Sequence, residues 1–152
     1  MAKFVYRMQG ILNIKLKLED QAKTAYSFAA KKVADEEERL VRLKEKKEYY
    51  INQKRNEMAT TINVKELELV ENAIHTTDIQ IGEQIVVINQ AKKSLEIARI
   101  KLDEAIKERK IQEKLRENAF EEFKREVEAE EQKEINELVS FRFGNGKVRQ
   151  EE

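Results

Sequence analysis

The 152-residue chain has no cysteine, no proline and no tryptophan, and only one histidine and four glycines. Each shortage excludes something. Without proline every residue keeps the N–H that an α-helix needs, so nothing forces a long helix to kink or stop. One histidine, His75, and no cysteine leave no His/Cys set to hold a metal ion. The four glycines are isolated or near the C-terminus, so no glycine-rich loop can cradle a phosphate or a nucleotide cofactor. Charge of one sign is missing too: 30 Lys and Arg stand against 30 Asp and Glu, and a nucleic-acid binder usually carries a basic excess. The longest apolar run is Ile85-Val86-Val87-Ile88, far short of the roughly 20 residues that cross a bilayer. Residues 1–10 lack the apolar stretch of a secretion signal. These shortages predict a cytoplasmic, non-catalytic protein with no cofactor, no metal, no nucleic acid and no direct membrane insertion.

What the chain does have is charge and a repeat. Charged residues make up 39% of it, a composition shared with long helices and coiled coils. Leu67, Ile74, Ile81, Ile88, Leu95 and Leu102 recur every seven residues. A strict seven-residue row stays against a partner helix only if the two supercoil left-handedly. A second face runs through Ala22, Tyr26, Ala29, Val33, Leu40, Leu43 and Tyr50 in steps of three and four, with gaps at Glu36 and Lys47. Between the two faces the periodicity fades over Ala59 to Asn63, and Asn63 followed by Glu66 resembles a helix-capping pair.

The expectation is all-α: two long helices forming an antiparallel coiled coil, a helical hairpin. Helix one covers about 4–59, the turn about 60–63 and helix two about 64–141, so that 1–143 is one coiled coil. Gly144-Asn145-Gly146 is expected to end helix two, leaving 144–152 as a flexible tail. A short turn makes the helices antiparallel neighbours. Facing residues should then have numbers summing to about 123 by this register, with Leu43 near Ile81 and Phe4 near Ala119.

Helix two is the longer, so everything beyond about Ala119 is expected to overhang. That overhang carries Phe120, Phe123, Val127, Ile135, Leu138 and Phe141 at helical spacing. An isolated helix is marginal in water, and an apolar stripe on one asks for a partner. Charge is zoned as well: residues 1–32 carry +5 and 92–116 carry +4, while 64–91 carry −4 and 117–137 carry −6. The hairpin brings the two basic segments together as a stem.

Two stretches carry a family resemblance. Phe4-Val5-Tyr6-Arg7-Met8-Gln9-Gly10-Ile11-Leu12, then Leu16, Leu18, Glu19 and Ala22, resembles the opening of flagellar export proteins of the FliJ type. Glu117, Phe120, Phe123 and Glu126, then Glu131 to Leu138, Arg142 and Phe143, resemble that family's C-terminal signature, with Asn136 where the family commonly has Asp. The resemblance implies a cytoplasmic component of the bacterial flagellar type III export apparatus, peripheral to the inner face of the membrane at the flagellar base. It implies a stalk, similar to the rotary ATPase γ subunit, that enters a hexameric flagellar export ATPase. It further implies contact with the export gate protein FlhA and with flagellar export chaperones. On this chain the ring contact would fall on Arg7, Lys15, Lys107, Arg109, Lys110, Lys114, Arg116, Phe120 and Phe123. The gate contact would fall on an outward face at Glu66, Val70, Ala73, Ile74 and Thr77. The alternatives are a homodimerising structural coiled coil and an export chaperone that shields secreted clients.

Overall fold

A computed structural model describes residues 2–60 and 63–151, with side chains as far as 144. Two helices make up the fold, α1 (Gln9–Ala59) and α2 (Val64–Glu151). Thr61 and Ile62 of the expected turn lie outside the described residues, as does Glu152 of the expected tail. The break is capped from both sides. Asn63 accepts a hydrogen bond from the Lys65 backbone N–H at 3.1 Å, and its carbonyl accepts the first helical bond, from Leu67 N at 3.0 Å. This satisfies donors that the first turn would otherwise leave open. Thr60 closes the other side by donating its hydroxyl to the Asn56 carbonyl, 3.1 Å away.

Two expected boundaries are corrected. Helix α1 begins at Gln9 rather than near Phe4, because Phe4 is used elsewhere: its ring packs on those of Phe120 and Phe123, with centroids 5.2 and 5.4 Å apart. Helix α2 runs to Glu151 instead of stopping near Phe141. A glycine costs a helix only about 1 kcal/mol and keeps its N–H, so a Gly-Asn-Gly run without proline does not suffice to stop one.

The chain divides into two compact units, Glu19–Ala105 and Met1–Leu18 with Ile106–Glu152. In the first, the helices pair antiparallel. Lys54 reaches Glu71 at 3.1 Å, Lys47 reaches Asp78 at 2.6 Å and Lys92 approaches Glu37 at 3.7 Å, so numbers rise along α1 as they fall along α2. The seam is one side chain deep, with Val33 from α1 and Val70, Ile88 and Ala91 from α2 buried. Ile81 and Leu43 are half-buried in the same rows.

The seam also holds polar residues. Gln84 is buried, and its amide donates to the Glu36 backbone carbonyl at 2.9 Å and to the Glu36 carboxylate. Thr77 is 2% exposed and donates its hydroxyl to the Ala73 carbonyl at 2.7 Å, which removes the cost of burying it. Glu36 and Lys47, the two gaps in the apolar face, are thus seam positions filled by side chains that find a partner on the other helix. On the outer surface Arg99 bridges Glu96 and Asp103, and its guanidinium holds the Glu96 carboxyl below its ordinary range.

Candidate interaction surfaces

The expected ring-contact residues all belong to the unit built from Met1–Leu18 and Ile106–Glu152. There the helices again run antiparallel. Lys15 pairs with Glu108 at 2.8 Å, and Arg116 donates to the Gln9 side chain at 2.9 Å. The paired numbers sum to 123 and 125 here, and to between 120 and 129 in the other unit, against the expected 123. Leu12 is buried in this seam.

The basic side chains do not share one environment. Arg7, Lys107, Lys110 and Lys114 are exposed. Arg109 is half-buried, with Nη1 2.9 Å from Glu113, as expected for a residue on the seven-residue row. Arg116 lies on the same row but ends over the Phe4 ring, 5.9 Å from its centroid, a cation–π arrangement. Residues 2–18 carry four Lys and Arg and no Asp or Glu, and 106–116 carry five against two. The stem is therefore basic on both of its segments.

The overhang starts later than expected. Ala119, Phe123 and Val127 are half-buried, because the non-helical residues before Gln9 lie against this part of α2 through Phe4. Phe120 and Phe123 are thus parts of an aromatic clasp around Phe4 instead of free overhang residues. From 128 to 144 every residue is exposed, including Ile135, Leu138, Val139, Phe141 and Phe143.

The expected gate surface is corrected more deeply. Val70 and Thr77 are buried in the seam, and Ala73 and Ile74 are half-covered, so these residues form no outward face. Only Glu66 among the five is exposed. Among the described residues, the apolar side chains exposed near that end include Val64 and Leu69, both about 70% exposed, and Met58. The misplacement has a physical origin. The second seam row on α2 runs Val70, Thr77, Gln84, Ala91, Ala98, and small or polar residues there hide it from a hydrophobicity reading. The three-residue offset from Leu67, Ile74 and Ile81 was the signal that could have found it.

Among the described residues no helix is long and apolar enough to cross a membrane. The fold is that of a helical hairpin with a charged stem and an exposed apolar extension. The chain belongs to the flagellar FliJ protein family, whose model matches residues 4–147. A solved structure described as that of a YscO homolog, CT670, from Chlamydia trachomatis has a similar fold. It is 19% identical, matches 99% of each chain and gives a TM-score of 0.54. No curated protein matches in sequence.

Proposed function

We propose that this chain is a non-catalytic component of the flagellar type III export apparatus, acting as the stalk of its hexameric ATPase. The unit holding both termini enters the ring and promotes its activity. The end near the start of α2 meets the export gate protein FlhA, and the protein receives export chaperones. Family membership over residues 4–147 carries this reading, and the exposed lysines of the stem support it. A stalk within a ring whose subunits change shape must adhere without locking. Exposed charges serve this, since each contact is weak and screened over a Debye length of about 8 Å at physiological salt.

Lys107, Lys110 and Lys114 are better probes than Arg109, which is partly in the seam. The variant Lys107→Glu/Lys110→Glu/Lys114→Glu should retain its helix content and lose stimulation of the purified ATPase. The wild type's stimulation should weaken as salt rises. Full stimulation by the reversed variant would overturn the electrostatic stalk. The gate contact is probed at Leu69, because Val70→Asp would place a carboxylate in the seam and damage the fold. Leu69→Asp should weaken FlhA binding with the circular-dichroism spectrum unchanged. Unaltered binding would move the contact away from this end.

A further inference from the structure

Within the unit Glu19–Ala105, two facing segments are basic in a chain of zero net charge. Residues 21–34 of α1 hold Lys23, Lys31 and Lys32 and no carboxylate, and residues 89–102 of α2 hold Lys92, Lys93, Arg99 and Lys101 against Glu96 alone. The hairpin sorts these cations to two flanks. On a coiled coil, residues just after a seam position lie on one flank and those just before it on the other. Lys92 follows Ala91 and reaches Glu37, which follows Glu36, so like flanks of the two helices lie together. Lys23 and Arg99 share that flank, and each has a carboxylate: Glu19 at 3.5 Å for Lys23, and Glu96 and Asp103 for Arg99. Glu96, just after Leu95, is on that flank too.

The opposite flank is different. Phe28, Lys32, Ile97 and Lys101 stand on it, each directly before a seam residue, with Lys31 and Lys93 one turn from Phe28 and Ile97. These four lysines enter no ion pair among the described residues, and neither segment places a carboxylate on this flank. Phe28 is 74% exposed and Ile97 55%. We propose that this flank adsorbs to an anionic lipid surface, the ammonium groups meeting lipid phosphates while Phe28 and Ile97 enter the headgroup layer. Apolar side chains bordered by lysines are what a helix lying on a bilayer presents. An acidic helix is the competing occupant, but it would fill the cleft between α1 and α2. Lys31 and Lys93 lie toward the outer edges of a ribbon two helices wide, roughly 20 Å, and an extended charged plane reaches all four lysines. None of the four is among the expected ring contacts.

Flotation of the full chain with vesicles of phosphatidylcholine and phosphatidylglycerol in equal parts gives the test. The wild type should float with these vesicles and not with pure phosphatidylcholine, and its binding should fall as salt rises. A lysine near an anionic surface strengthens binding about fivefold, so Lys93→Gln/Lys101→Gln should weaken it by about 25-fold. Lys92→Gln/Arg99→Gln removes the same charge from the same stretch of α2 on the other flank, and should bind like the wild type. All four residues are exposed, so both variants should keep their helix content. Phe28→Trp supplies the chain's one tryptophan, whose emission should shift to the blue on the mixed vesicles. Equal losses in the two double variants would mean attraction without a preferred face, and an unshifted tryptophan would mean a face that stays in water. Either result overturns the proposal. So does a wild type that does not float, and its capture by immobilised polyglutamate would then give the face to an acidic protein.

Discussion

Ile88 is 5% exposed in a seam only one side chain deep, so its truncation tests the register and the thinness of the core together. Ile88→Ala removes three carbons. At about 0.8 kcal/mol for each buried methylene the transfer loss is roughly 2.4 kcal/mol. A cavity contribution raises it, as in Ile→Ala changes that cost about 2–5 kcal/mol, but a thin seam open at both edges collapses easily. The expected loss is therefore about 2–4 kcal/mol, with Ile81→Ala below Ile88→Ala because Ile81 is only half-buried. Ile79 supplies the control: it carries the same side chain on the same helix, 51% exposed, and its truncation should cost no more than about 0.5 kcal/mol. Urea titration followed by far-ultraviolet circular dichroism measures all three, with an unchanged slope showing that only stability moved. Equal losses at Ile79 and Ile88 would refute the register. A loss at Ile88 below about 0.5 kcal/mol would refute the claim that this row holds the hairpin together.

Gly82 lies within α2 with ordinary helical backbone, and a Cβ added there would meet nothing within 4 Å. Gly82→Ala should therefore stabilise the protein by about 1 kcal/mol, seen as a higher denaturant midpoint, and a destabilisation would show a contact at that surface. Glu36→Ala and Gln84→Ala should couple by about 1 kcal/mol in a double-mutant cycle, whereas additivity would deny the hydrogen bond across the seam. Phe4→Ala should lose the clasp with Phe120 and Phe123, about 0.5–1.5 kcal/mol beyond its buried area, and speed amide exchange before Gln9. Unchanged exchange there would show that the ring contact does not anchor the segment.

Much of the hairpin was legible because coiled-coil geometry is written in residue spacing. The row from Leu67 to Leu102 fixed one side of the seam, and Asn63 marked the start of α2 through a short polar side chain able to cap it. The start of α1 was illegible: it depends on Phe4 meeting rings more than a hundred residues away, which no local preference encodes. The outward face assigned to Val70 and Thr77 failed for a different reason. A row of valine, threonine, glutamine and alanine is seam by position while looking like surface by composition. Lys47 and Lys54 show the converse, charged by type yet half-buried and aimed at carboxylates on α2. Of the candidate surfaces, the basic stem could be read from charge zoning, but the separation of exposed Lys107, Lys110 and Lys114 from half-covered Arg109 required the packing.

The hydrogen bonds between Gln84 and Glu36 also bear on how the hairpin answers an axial push. An apolar heptad stripe is smooth to sliding, since a shift of seven residues lays it back upon itself. Gln84 and Glu36 break that symmetry. A slip of one heptad would set Gln84 against Leu43 or Ala29, and Glu36 against Thr77 or Ala91. Each polar group stranded in this way costs about 1–3 kcal/mol. The pair therefore acts as a detent: it sets an energetic cost against a slip of one heptad when one helix is pushed along the other.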